Sequence, residues 1–394
     1  MQPLSFAMIG TRGVPAAYGG FETAVEEIGA RLVERGHSVT VYCRSAAEKL
    51  ESWRGMSLVH LPALHVKVAE TLSHTAASAL HLTFTKKPDV AFVFNAANSP
   101  LVPWIRTLGI PTAVHVDGLE WMRGKWSGAG RDYYRFAEKF AVNHADALIA
   151  DARGIADYYW QTFRAPTELL TYGAPIIEHP THRRLAELGL EPQGFHLVVA
   201  RFEPENHVDV IVEGYQRSGA TLPLVVVGSA PYAERHSADI RAAAKDDPRI
   251  RFIGSLWDQE LLDELYANAA SYLHGHSVGG TNPSLLRAMG GGAPVVAWDV
   301  NFNEEVAGPD AAYFSTPLGL ARILERAESE PALQIARGLR LQQRARTTYD
   351  WDDVADGYED LGARLFAGES LRARPSTSTT TRPVTAVTRE QRLS

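Results

Sequence analysis

Residues 5–43 set out an apolar run, a glycine-rich turn, an amphipathic stretch and a second apolar run, and few architectures accept that order. Ser5–Ile9 is a short apolar segment ending at Gly10 and reads as a buried parallel strand. After the loop Gly10–Gly20, residues Phe21, Ala24, Val25, Ile28 and Leu32 share one helical face, and Gly36 closes the helix. Ser38–Cys43 is the next strand. Such a β-loop-α-β unit is the start of an open, doubly wound α/β sheet.

The alternation continues. Leu58–Leu61, Val90–Phe94, Ala113–Val116 and Ala147–Ala150 read as strands, with helical patterns between them, Arg131–Asn143 among these. A second series starts near Phe195: strands at Phe195–Ala200, Leu224–Val227, Ile250–Ile253, Tyr272–Leu273 and Pro294–Ala297, helices at Val208–Tyr215, Ala233–Lys245, Gln259–Asn268 and Ser284–Met289. The proline-containing stretch Tyr172–Gln193 reads as an interdomain connection. A length of 394 residues accommodates two such domains. We place the first at 1–172 and the second at 173–340, followed by a C-terminal helical segment at 341–367. From 368 to 394 the chain is rich in Ser, Thr, Arg and Pro and is expected to be a disordered tail.

Several function classes fall away. The single cysteine, Cys43, excludes an internal disulfide and a cysteine-based zinc site. A formal net charge of −7 argues against a nucleic-acid partner. Met1–Phe6 shows neither a basic cluster nor a long apolar segment, and no apolar run is long enough to span a bilayer. The expectation is therefore a cytoplasmic protein whose membrane contact, if it has any, is peripheral at the inner face, with which exposed basic residues such as Arg123 and Lys125 are compatible. No Asp-x-Asp or His-Glu-x-x-His element is present, so neither a metal nor a tightly held cofactor is expected.

Ligands of open α/β sheets bind beyond the C-terminal strand ends, and two facing domains form a cleft there. Four loops follow strands in the right places. In the first, Gly10–Gly20, backbone N–H groups and Arg12 suit a phosphate, although a ligand-free tight turn explains the glycines equally. The second holds His115, Asp117, Glu120 and Trp121, groups able to orient a sugar hydroxyl or to serve merely as core. In the third, Arg201 suits a diphosphate, or a surface ion pair with Glu203 or Glu205. The fourth runs from Gly275 through Gly279 and Gly280 to Thr281, Asn282 and Ser284. These last three residues are able to cap the following helix, whose free N–H groups suit a diphosphate.

Together the segments GTRGVPAAYGGFETAVEE, VDGLEWMRGKW, ADALIADARGIADYY, LTYGA, ARFEPEN and HSVGGTNPSLLRAMGGGAPVVA resemble the retaining glycosyltransferases of family four. The resemblance runs from near residue 6 to about 315 and is closer to a bacterial rhamnosyltransferase-like or exopolysaccharide subgroup. It implies the GT-B fold: two facing Rossmann-like domains with an interdomain cleft. It further implies metal-independent transfer, with retention, of a hexose or deoxyhexose from a nucleoside-diphosphate sugar to a glycan or lipid-linked acceptor. The C-terminal helix, Asp350–Leu365, returns to the first domain in that family. Asp117, Gly20 and Arg201 take the catalytic positions. Gly19, Arg12, Glu205, Gly279, Gly280, Thr281, Asn282, Ser284 and Arg287 join Arg201 around the donor, and Tyr18, His115, Glu120 and Trp121 face the acceptor.

Three departures stand out. Gly279 and Arg287 occupy the places of a pair of glutamates, and Asn206 that of a lysine. Arginine accepts no hydrogen bond, so a ribose hydroxyl loses a partner at Arg287. A deoxyribose donor such as dTDP-rhamnose suits that change. Asn206 removes a cation that Arg201, Arg287 or Arg12 must replace. Two other readings compete: a catalytically degenerate partner in a polysaccharide-assembly complex, and a nicotinamide-dependent or epimerase-type enzyme. The latter lacks the expected Gly-x-Gly-x-x-Gly after its first strand.

Overall fold

The structure is a computed structural model and describes residues 2–16, 19–44, 49–64, 69–116, 118–124, 126, 128–228 and 234–370. The first sheet contains β1 (Ser5–Ile9), β2 (Ser38–Arg44), β3 (Ser52–Trp53), β4 (Met56–Leu61), β5 (Val90–Phe94), β6 (Thr112–His115), β7 (Ala147–Ala150) and β8 (Glu168–Leu169). Its order is β3-β4-β2-β1-β5-β6-β7-β8, and every pair is parallel except the short β3–β4 hairpin. The second sheet contains β9 (His196–Val199), β10 (Leu224–Val227), β11 (Ile250–Gly254), β12 (Ser271–His274), β13 (Val295–Trp298) and β14 (Ala312–Phe314). It is all parallel in the order β11-β10-β9-β12-β13-β14.

The helices are α1 (Gly20–Glu34), α2 (Ala69–Phe84), α3 (Val102–Thr107), α4 (Ala129–His144), α5 (Arg153–Phe163), α6 (Val208–Gln216), α7 (Glu234–Ala244), α8 (Gln259–Asn268), α9 (Pro283–Gly290), α10 (Asn301–Ala307), α11 (Pro317–Ser329), α12 (Pro331–Thr348) and α13 (Trp351–Phe366). They cover both faces of each sheet, which is why the strands are apolar on both sides. Phe6 and Met8 point into one core cluster, Ala7 and Ile9 into another, as the two-residue period of a strand requires.

In each sheet the direction of winding reverses once, between β1 and β5 and between β9 and β12. A crevice opens at the C-terminal ends of strands flanking such a reversal. Both candidate loops with the most glycine, after β1 and after β12, leave from these switch points.

The last helix returns to the first domain. Arg35 pairs with Asp356 at 2.6 Å and Glu359 at 3.1 Å, Tyr358 packs edge-on against Phe92, and Gly362 lies against Phe6. The return begins at Asp350 rather than at residue 341, because α12 still packs on α9 in the second domain. Asp350 caps α13 by accepting from Asp352 N at 2.7 Å. Of the tail, only Gly368–Ser370 falls within the described residues.

Candidate active site

The loop after β12 and the head of α9 meet the first domain at several points. Thr281 Oγ1 donates to the carbonyl of Asp151 at 2.6 Å, and Gly20 lies against Pro283. Gly118 abuts the backbone of Gly279 so closely that a Cβ there would fall 2.9 Å from Gly280 N. Gly280 in turn packs on the Asp151 carboxylate: a Cβ on it would fall 2.6 Å from Oδ2. Gly279 sits at φ +117°, a conformation a side chain would strain. Asn282 caps α9, its Oδ1 accepting from Ser284 N at 2.9 Å, with Pro283 in the first turn. The amide end of α9 therefore lies where the two domains meet. Its partial positive charge and N–H groups suit an anion.

The loop after β9 lies beside it. Asn206 Nδ2 donates to the carbonyl of Arg201 at 2.7 Å, while its Oδ1 stands 2.6 Å from His276 Nδ1. That amide orientation makes Oδ1 the acceptor, so His276 carries its proton on Nδ1 and a lone pair on Nε2. Burial first, then the charge of Arg123, hold His276 well below the ordinary imidazole range; Arg201 acts in the same direction. Arg201 makes a 3.4 Å ion pair with Glu203. Glu205 is buried, and among the described residues neither carboxylate oxygen has a hydrogen-bond partner. Its main-chain oxygen accepts from Ser277 N at 2.9 Å, tying the two loops together.

On the first domain, two carboxylates of α1 fold back onto the β1–α1 loop. Glu22 accepts from Arg12 N at 3.0 Å and Glu26 from Ala16 N at 2.6 Å. Gly19 occupies the N-cap of α1. The side chain of Arg12 is exposed. Tyr18, Asp117 and Lys125 lie outside the described residues.

Three readings from sequence change. His115 is a core residue rather than an acceptor-side one: it is buried among Phe21, Phe94 and Tyr172, and burial takes its pKa down to about 3. The cause is that β6 is buried on both faces. Glu120 and Trp121 are engaged inside the first domain. Glu120 is buried and holds Arg123 Nε at 2.7 Å and Trp126 Nε1 at 3.1 Å; the Trp121 ring lies under Arg135. Arg287 is turned to α8, where Nε meets Asp263 Oδ1 at 2.7 Å, so it is spoken for as a compensating cation. Ser284 lies in α9 with its hydroxyl by the buried phenols of Tyr266 and Tyr272.

Sequence reasoning missed Asp151 and His276 and read Arg123 as an exposed basic residue near the acceptor side, whereas its side chain is only 15% exposed and pairs with Glu120. Among the described residues, no group of three or more His, Cys, Asp or Glu side chains could hold a metal ion. No described helix is long and apolar enough to cross a membrane.

Residues 195–327 match the family described as glycosyl transferases group 1. That match lies within the second domain. Residues 4–175 match a family described as a domain of unknown function, DUF1972. The two domains together adopt the GT-B fold. Sucrose-phosphate synthase from Thermosynechococcus elongatus superposes with a TM-score of 0.81 at 19% identity, over 93% of this chain and 100% of that one. Anabaena Alr3699/HepE, solved in complex with UDP-glucose, gives 0.74 at 16% identity over 91% and 100%. WaaG, a glycosyltransferase involved in lipopolysaccharide biosynthesis, gives 0.69 at 18% over 90% and 99%. No protein of curated function matches the chain in sequence.

In the second domain, then, the loops after β9 and β12 converge on the amide end of α9, and the first domain covers that end. The arrangement can hold an anionic group between a guanidinium and a helix N-terminus while excluding water.

Proposed function

We propose that the chain is a retaining, metal-independent glycosyltransferase that takes a hexose or deoxyhexose, rhamnose among the candidates, from a nucleoside-diphosphate sugar. The observation that carries this reading is the glycine loop 275–282 feeding the Asn282-capped α9 inside the segment that matches group 1 glycosyl transferases. The diphosphate lies between that helix end and Arg201, and Gly19 and Gly20 shape the wall beside the transferred sugar. Structures of the same fold solved with UDP and with UDP-glucose support a nucleotide-sugar donor. The acceptor is a glycan or lipid-linked saccharide of a cell-surface polysaccharide, met at the inner membrane face on the first domain. Asp117 orients its hydroxyl or the sugar, and the leaving diphosphate takes the proton.

Arg287 ion-pairs with Asp263 and accepts nothing from a ribose hydroxyl, which favours a deoxyribose nucleotide. The test is thermal stabilisation by UDP-, GDP- and dTDP-sugars with chelator present. A ligand at 100 times its Kd adds about 2.7 kcal/mol. A shift with one nucleotide, followed by sugar transfer, supports the reading, and a stronger response to UDP than to dTDP sugars sinks the deoxyribose idea. Gly279 and Arg287 also favour a second reading, a nucleotide-sugar-binding partner without turnover; binding with no transfer to any acceptor would establish it.

A further inference from the structure

A diphosphate carries at least two negative charges, and on the second domain Arg201 is offered by the loop after β9, which Asn206 ties to the β12–α9 loop at His276. Asn206 adds no charge; its amide is used to bridge Arg201 and His276. Arg287 is held on α8 by Asp263, and Arg12 is exposed on the β1–α1 loop. The remaining arginine by this loop comes from the other domain. Arg123 is only 15% exposed, and its Nη2 lies 3.9 Å from where a Cβ on Gly279 would be. His276 Nε2 lies 3.7 Å from the same point. We infer that Arg123 reaches across the cleft as the second cation of the donor-diphosphate site, which is therefore complete only when the two domains are closed. This rests on the donor reading above.

The guanidinium is aimed by a fixed partner. Glu120 is buried, one of its oxygens takes Arg123 Nε at 2.7 Å, and the other takes Trp126 Nε1 at 3.1 Å. With Nε anchored, the planar group keeps one orientation, and its terminal nitrogens lie towards the β12–α9 loop. That loop presents Gly279 and Gly280, whose lack of side chains leaves room for an anion to accept from both the guanidinium and the backbone N–H groups at the head of α9. The charges of Arg123 and Arg201, one from each domain, both disfavour the charged form of His276 in this loop. A surface ion pair would need none of this burial.

The test uses calorimetric titration of the full chain. Wild-type protein is titrated with UDP, GDP and dTDP, and the nucleotide that binds is then compared with its parent nucleoside on Arg123→Gln and Arg123→Lys. We expect R123Q to lose on the order of ten- to a hundred-fold in affinity for the diphosphate, the value of one charged contact, with nucleoside affinity unchanged. R123K should recover part of the loss, and the salt dependence of diphosphate binding should become shallower in R123Q. Equal diphosphate affinity in R123Q and wild type overturns the inference and leaves Arg123 as a partner of Glu120 alone. An equal loss for nucleoside and diphosphate also overturns it, by showing a general disturbance of the fold. A wild-type chain that binds no nucleotide removes the donor reading and this inference together.

Discussion

Gly118→Ala is a one-carbon wedge between the two domains. A Cβ on residue 118 falls 2.9 Å from Gly280 N and 3.0 Å from Gly279 C, and nearer still to Gly279 Cα. All three are backbone atoms, so no side chain is able to swing away. Restoring ordinary van der Waals contact requires the β6 and β12 loops to part by about 1 Å. Gly118 is not among the glycines in the left-handed region, so alanine brings no local strain. Its effect on the unfolded chain is favourable, about 0.4–1 kcal/mol. Stability should therefore hold while the cleft is propped open. A 1 Å displacement of groups that position a reaction costs about 100-fold in rate. We expect kcat/KM to fall by that order with Tm unchanged within a few degrees. Steady-state transfer assays beside a melting curve check this. Wild-type turnover in a correctly folded G118A protein would refute the idea that this backbone contact belongs to the working state.

Three further outcomes follow from individual groups. His115→Leu should keep both Tm and the acceptor KM, because the imidazole is a neutral filler of an aromatic cluster; a raised acceptor KM at unchanged stability would show that it touches substrate. Glu205→Gln should raise the melting temperature of the ligand-free chain, since its buried carboxylate has no hydrogen-bond partner among the described residues, and should weaken binding of the sugar nucleotide more than of the bare diphosphate. Unchanged melting and equal affinities count against this. Burial pushes Glu328 upward, but hydrogen bonds from His196, the backbone of Thr221 and Leu222 and the Thr221 hydroxyl outweigh it and hold the carboxyl at about 2. Its folded pKa is depressed, so its contribution is complete above the ordinary carboxylate range and is lost as pH falls towards 2. Denaturant titrations from pH 6 to 2 should show a loss that Glu328→Gln reduces, the other depressed carboxylates such as Asp247 and Glu359 supplying the rest; identical slopes in both proteins would reject the assignment.

Strands buried on both faces were the most legible elements. Ser5–Ile9, Val90–Phe94, Ala147–Ala150 and Leu224–Val227 stand where their apolar runs lie, because a parallel strand covered by helices has no polar face to blur the pattern. The two- and three-residue edge strands β3, β8 and β14 carry no such run and were not read. Asn282 was legible as a cap because Asn-Pro-Ser after a glycine loop satisfies helix-start chemistry locally. His115 was misread because lying at a strand end says nothing about which side the ring takes. Arg123 and Asp151 were beyond any local pattern. The Thr281–Asp151 hydrogen bond joins residues 130 apart, and neither partner has a role until two separately folded domains meet.

That meeting also explains why an anion should choose α9 over the N-terminus of α5, another helix end at the boundary. The first turn of α5 offers the N–H groups of Arg153 and Gly154 to the second domain, but both already donate to the Glu305 carboxylate, at 2.7 and 3.2 Å. A carboxylate there neutralises the positive end of the helix and occupies its donors. The cap of α9 is Asn282, which satisfies one N–H and brings no charge. Of the two helix ends, one is closed by an internal anion and the other keeps its field. Arg123 lies by Gly279 in the loop that leads into it, and Arg201 is on the adjoining loop. A donor phosphate placed at α5 would have to displace Glu305 and break an interdomain tie, whereas one placed at α9 adds to the contacts that hold the domains together. On this argument donor binding and domain closure favour each other, so a change that props the cleft open should weaken diphosphate binding even when every phosphate-contacting side chain is intact.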